Sequence, residues 1–145
     1  MSAVVGQLAG QALLFEEFLA QRPGRLKLRE TNQKVLLHGH CHQKAFDAMP
    51  AVEKLLRSVP GVEVSTVQTS CCGMAGSFGY EAEHYDVSLK MAELSLLPAV
   101  RAAGDALLLA DGTSCRAQIA HGTGRRPMHV ARFLEAALSE PRAAS

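Results

Sequence analysis

Tryptophan is absent from this 145-residue chain, and only five phenylalanines and two tyrosines are present. So few flat rings leave no platform for stacked bases. The 15 basic and 14 acidic side chains, a formal charge of +1, are scattered and form no basic stripe. Nucleic acid is therefore excluded as an expected partner. No apolar run approaches the ~20 residues that span a bilayer. The start, Met1-Ser2-Ala3-Val4, lacks the basic stretch of a secretory leader. Cysteine is scarce too. Four cysteines in a chain read as unexported point to a reducing compartment and to metal or redox use, not to a disulfide scaffold.

What is present is concentrated in Ser70-Cys71-Cys72-Gly73-Met74-Ala75-Gly76-Ser77-Phe78-Gly79. Glycine at that density marks backbone that bends sharply or approaches something closely. Adjacent side chains point apart in a helix or strand, so two neighbouring cysteines serve one centre only in an irregular loop. The glycines supply such a loop. Cys71 and Cys72 are thus candidate thiolate ligands, with Cys41 and Cys115 completing the set.

Periodicity places these cysteines. Leu8, Ala12, Phe15 and Phe18-Leu19 recur at helical spacing, with Glu16 and Glu17 outside, and Arg22-Pro23-Gly24 ends that helix. Residues 1–33 read as this helix and its lead-in, 34–139 as the cysteine-rich domain and 140–145 as a frayed tail. Lys34 to Gly39 reads as a buried strand. A helical pattern from His42 to Ser58 carries Phe46, Met49, Val52 and Leu55-Leu56 on its apolar face, with a kink or new start at Pro50. Val62 to Val67 alternates as a second strand. A long helix from Glu81 is expected to kink or split at Pro98 and to be capped by Gly104. Asp105 to Ala110 is a third strand. A helical turn from Arg116 to His121, a short segment at Pro127-Met128-His129 and a last helix, Val130 to Leu138, complete the pattern.

Strand and helix alternate, which predicts an α/β fold. Its short, mostly parallel sheet is covered by helices on both faces, a three-layer Rossmann-like arrangement. Every cysteine then falls after a strand and before a helix. Those positions share the carboxyl edge, where open α/β sheets bind ligands. Topology, not spacing, brings the four together.

Thiolates hold iron–sulfur clusters, and an all-cysteine set of four also suits structural zinc. Paired CxxC knuckles, the usual zinc-ribbon signature, are missing. An adjacent Cys-Cys pair suits a larger, irregular cluster better than one tetrahedral ion. His38, His40 and His42 share a face of an extended segment, opposite Cys41. They are expected to hydrogen-bond loop backbone or sulfur. His129 is a further candidate at the same edge.

His38-Gly39-His40-Cys41-His42-Gln43, Cys71-Cys72-Gly73 and Ser114-Cys115-Arg116-Ala117-Gln118 resemble the cysteine-rich CCG domain of heterodisulfide-reductase and glycolate-oxidase type iron–sulfur subunits. CCGMAGSFGYE and GTSCRAQI resemble in particular the C-terminal domain of FAD-linked oxidase/iron–sulfur fusion proteins. The resemblance covers roughly Val35 to Leu138. It implies a non-cubane iron–sulfur cluster held by Cys41, Cys71, Cys72 and Cys115, with His40, His42, Gly73, Ser114, Arg116 and His129 around it. A further family cysteine would fall at Gly112, so this chain is one thiolate short. Either the cluster is simpler, or a non-cysteine ligand such as His40 takes part, or the isolated chain holds no cluster or has zinc in its place.

The resemblance further implies electron transfer for an FAD-linked 2-hydroxy-acid oxidoreductase of the glycolate, D-lactate or 2-hydroxyglutarate type. The partners would be a flavin-containing domain or subunit and other iron–sulfur domains. The chain would then be cytoplasmic, or at the inner face of a membrane by peripheral association through those partners, and inactive towards substrate alone. Two other classes stay open: a structural zinc module that docks subunits, and a thiol–disulfide redox domain.

Overall fold

Three short apolar runs set the frame, because a strand covered on both faces has no polar side to alternate with. The structure, a computed structural model, describes residues 3–69 and 71–139. The expected frayed tail, 140–145, lies outside the described residues. Strands β1 (Lys34–His38), β2 (Glu63–Thr66) and β3 (Leu107–Ala110) form one parallel sheet in the order β2-β1-β3. Leu36 of β1 is aligned with Ser65 on one side and Leu108 on the other, and His38 with Ala110.

Strand alternation divides the interior into two cores. Val35, Leu37 and Leu109 pack with Leu19 of α2 (Phe15–Ala20), with Val52, Leu55 and Leu56 of α4 (Met49–Arg57), and with Val130, Phe133 and Leu134 of α8 (Val130–Ala136). Leu36, Leu108 and Ala110 turn the other way. They meet Ala92 of α5 (Tyr85–Glu93), Leu96, Leu97 and Val100 of α6 (Leu96–Ala102), and Ile119 of α7 (Thr113–Thr123). The α/β fold with helices on both faces is therefore as expected. Met128 extends the sheet beyond β3, accepting from Ala110 N–H at 3.0 Å and donating to Leu108 O at 2.9 Å. No helix among the described residues is long and apolar enough to cross a membrane.

The proline signals hold. Pro50 sits in the first turn of α4, which follows the short α3 (Cys41–Ala45) after a break. Pro98 has no N–H to offer the carbonyl of Leu94, and the chain breaks at Leu94–Ser95 between α5 and α6. Gly104 follows with φ +54°.

Amphipathic period misleads in two places. The expected helix from Leu8 to Leu19 is two helices, α1 (Ala3–Gln11) and α2, and α1 buries no residue. Leu8, Phe15 and Phe18 are exposed, whereas Glu16, expected outside, is only 4 % exposed. Phe46, expected in the core, is 72 % exposed because α3 ends before it. Period shows how a helix alternates, not which neighbour it meets. The Gly122-Thr123-Gly124-Arg125 turn is also part of the frame: Arg125 donates to Val100 O at 2.8 Å and to Ala106 O at 2.5 Å.

Candidate metal centre

Each strand delivers cysteine to the carboxyl edge. Cys41 opens α3 two residues beyond Gly39 and is exposed. Cys71 and Cys72 lie in the irregular segment after β2, Cys71 half-buried and Cys72 buried. Cys115 lies in the first turn of α7, which starts three residues before the expected Arg116, and is buried. Its thiol is 3.4 Å from the sulfur of Cys72. Cys71 Sγ accepts the backbone N–H of Gly73 at 3.3 Å. Cys72 and Cys115 therefore touch, while Cys41 and Cys71 follow β1 and β2 at the same carboxyl edge.

The buried pair behaves as one acid that loses its first proton easily and its second reluctantly. The Cys115 thiol, then the His38 ring and the Met74 N–H, hold Cys72 well below the usual thiol range, at about 4. The same contact with Cys72, followed by burial and the neighbouring thiolates, pushes Cys115 up. Lys44, half-buried in α3, donates to Thr69 O. Burial lowers its pKa, and the thiolates oppose that change. A cation fixed here offsets the negative charge of gathered thiolates. Nothing in the linear pattern singles out Lys44.

The histidines separate. His42 is exposed and stacks on His40, with Phe46 beside it, whereas His38 is buried, so the three do not share one face as expected. The strand ends at His38, and helix α3 rotates His42 away. His40 caps α3, its Nδ1 accepting His42 N–H at 3.3 Å. A neutral ring so engaged carries its proton on Nε2. That edge fills the space beside Gly112: a Cβ there would lie 2.3 Å from His40 Cδ2 and 2.8 Å from Cys115 Sγ. A fifth cysteine at position 112 is thus sterically replaced by the His40 ring. His38 ends β1, is 3 % exposed, and leaves Nδ1 buried without a hydrogen-bond partner. One of its ring nitrogens and the sulfurs of Cys72 and Cys115 lie within 4.8 Å of one another.

Two glutamines and an arginine hold these parts in register. Buried Gln43 accepts His40 N–H at 3.0 Å and donates to Asp111 Oδ2 at 2.6 Å, tying the end of β1 to the end of β3. Arg116 turns back onto Ala110 O and Asp111 O, bracing the turn that carries Gly112. Ser114, half-buried, sits beside Cys115 in the first turn of α7. Buried Gln118 donates to Ser88 O at 3.2 Å and Ser88 Oγ at 3.0 Å. Ser88 in turn presses on the double-cysteine loop: a Cβ on Gly73 would lie 2.2 Å from Ser88 O. These buried polar links carry no periodic signature, so only the structure exposes them.

His129 belongs to a different cluster. Its Nδ1 accepts Ala131 N–H at 3.0 Å, capping α8, and stands 3.3 Å from Asp111 Oδ1. Glu16 completes that group, on a cleft of about 970 Å³ that also reaches His40 and Gly112. Burial, then the Asp111 charge, raises the Glu16 pKa, and its Oε1 has no partner. A raised carboxyl favours folding below the unfolded carboxylate range, and that contribution is lost as pH climbs through the folded value. Glu16→Gln is therefore expected to be more stable than the parent at neutral pH, by about 1 kcal/mol. It should be no more stable at pH 4. Urea melts at the two pH values check this.

The donor set at this edge, two buried sulfurs in contact with a buried histidine ring nitrogen within 4.8 Å of both, fits a thiolate-bound metal group. The CCG family model, described as a cysteine-rich domain, matches residues 35–120. A subunit of the anaerobic glycerol-3-phosphate dehydrogenase of Escherichia coli (strain K12) is 31% identical over 114 residues, covering 79% of this chain and 28% of that protein. D-2-hydroxyglutarate dehydrogenase of the same organism is 37% identical over 91 residues, covering 61% of this chain and 9% of the relative. The Pantoea ananatis protein of that name is 29% identical over 131 residues, covering 85% and 13%. The chain thus spans well under a third of these relatives. No solved structure matches. With its model matched over more than half of the chain, the CCG cysteine-rich domain family is the one to which this chain belongs.

Proposed function

We propose that this chain holds an iron–sulfur centre and serves as the electron-transfer domain of an FAD-linked oxidoreductase acting on a 2-hydroxy acid. The observation that carries the reading is the contact of 3.4 Å between the buried sulfurs of Cys72 and Cys115, with a His38 ring nitrogen within 4.8 Å of both. Bound there, an iron–sulfur centre would supply one-electron chemistry over a range from ~−700 to ~+450 mV.

The chain's own residues do the rest. Cys41, Cys71, Cys72 and Cys115 would be the sulfur ligands. Gly73 N–H bonds a thiolate and so stabilises its negative charge. Lys44 offsets charge, and the Gly73–Ser88–Gln118 contact keeps the double-cysteine loop in place. Two relatives are named dehydrogenases of D-2-hydroxyglutarate, which supports the 2-hydroxy-acid assignment. Substrate oxidation would belong to a flavin partner, with other iron–sulfur domains carrying electrons onward, in the cytoplasm or, through those partners, at the inner face of a membrane. The isolated chain would not turn over substrate.

A zinc-bound docking module is the second reading. The 3.4 Å sulfur contact is close to the spacing of two thiolates on one tetrahedral ion with bonds of ~2.3 Å. Thiol–disulfide chemistry at the buried pair is disfavoured, because an attacking thiol must be reached and Cys72 and Cys115 are only 4 % and 2 % exposed; half-buried Cys71 is the thiol left to that reading. Anaerobic preparation with iron and sulfide separates the first two readings. The proposal expects bound iron with acid-labile sulfide, visible absorption and a paramagnetic signal on reduction. Stoichiometric zinc in a colourless protein, with no iron uptake, overturns it.

A further inference from the structure

The sulfur set is one donor short of the family pattern, because Gly112 stands where the resemblance places a cysteine. We propose that an imidazole nitrogen of His38 supplies the missing donor beside Cys72 and Cys115, giving a mixed sulfur–nitrogen metal site. The inference rests on the metal-centre reading and specifies its ligands.

Three observations carry it. First, one His38 ring nitrogen and the two sulfurs lie within 4.8 Å of one another, close enough for one ion to touch all three. Second, His38 is 3 % exposed and its Nδ1 has no hydrogen-bond partner. Buried polar groups are nearly always paired, so a buried ring that reaches two thiols and keeps one nitrogen unpartnered is short of a partner. Third, His38 ends the central strand and is aligned with Ala110, two residues before Gly112. Sheet register, not a loop, therefore holds the ring in position.

The competing imidazole is occupied otherwise. His40 uses its Nδ1 lone pair to cap α3, so its Nε2 edge, beside Gly112 and Cys115, offers a proton. A nitrogen that carries a proton has no lone pair to give a metal, so that ring does not ligate. Glycine at 112 and histidine at 38 then form one arrangement: the His40 ring takes the volume of the lost cysteine, and His38 takes its ligand role. On binding, the Cys115 thiol proton leaves for solvent, and neutral His38 contributes a lone pair.

The test uses the full chain with isotope-labelled histidine, loaded anaerobically with cobalt(II) alone and, separately, with iron and sulfide. Pulsed paramagnetic resonance should show the hyperfine coupling of a directly bonded histidine nitrogen in the parent. The coupling should vanish in His38→Ala and persist in His40→Ala. His38→Ala should weaken cobalt binding at least roughly 10- to 100-fold, since even outer partners of metal ligands have effects of that size. His38→Cys should restore binding without the nitrogen signal, and it serves as the readout where His38→Ala fails to fold. Metal bound without nitrogen coupling in the parent, or coupling retained in His38→Ala, overturns the inference. Nitrogen-coupled cobalt with no iron uptake would overturn the electron-carrier reading and leave His38 standing. An iron–sulfur centre without nitrogen coupling would do the reverse, and a chain that takes up neither metal overturns both.

Discussion

Cys115→Ser is expected to bind less than roughly a tenth of the parent's iron after anaerobic reconstitution, with the visible absorption lost in proportion. The reason is local. Cys115 is buried, its sulfur is 3.4 Å from Cys72, and its helical position gives the side chain little freedom to be replaced by another donor. A serine hydroxyl is a hard donor that resists deprotonation, so it neither releases the proton nor offers a soft ligand to iron. The fold should tolerate the change, because serine nearly matches the shape and Cys115 tethers nothing else. A stability loss of about 1 kcal/mol is the expected ceiling. Iron and sulfide content per chain, measured beside a thermal melt, checks the prediction. Undiminished iron in Cys115→Ser would remove this residue from the centre.

Gly73→Ala is expected to be the most damaging single-methyl change, costing roughly 3 kcal/mol or more. Two effects add. Gly73 has φ +89°, where a side chain strains the backbone by ~1–2 kcal/mol. Its Cβ would also lie 2.2 Å from Ser88 O, a backbone atom that cannot swing away like a flexible side chain. Gln118 holds Ser88 by two hydrogen bonds, so relief requires α5 and α7 to move together. Gly76→Ala is the internal control. Its φ is +70°, but nothing lies within 4 Å of the added Cβ, so only the strain of ~1 kcal/mol remains. Denaturant midpoints with unchanged slopes would show the two-to-threefold difference. Equal losses in both variants would mean that the contact with Ser88 contributes nothing. Because Gly73 follows the paired cysteines directly and its N–H bonds Cys71, Gly73→Ala should also lower iron uptake.

The two glycines show how far a local signal carries. A triplet of glycines after two cysteines announces an irregular loop, and the loop is there. Which glycine bears against another element depends on where α5 passes, and no spacing within the loop encodes that. Gln118 is a similar case: three residues after Cys115 it forms part of a family motif, yet its work is on Ser88, thirty residues earlier. Glu16 and Phe46 fail in the opposite sense. Both belong to segments whose helical period is clear, but α2 is short and α3 ends before Phe46, so the face that meets the core is chosen by packing.

From the chain alone came the three strands, the breaks at Pro50 and Pro98, and the delivery of every cysteine to the carboxyl edge. These follow from short-range causes: apolar runs that must be buried, a missing N–H, and the handedness of parallel crossovers. The tertiary structure alone decided that Cys72 and Cys115 touch, that His40 fills the space above Gly112, and that His38 stands beside the two sulfurs. Those distances are set where three separate crossings of the sheet meet. There register and helix direction place side chains dozens of residues apart within a few ångströms, and a linear pattern holds no record of that closeness.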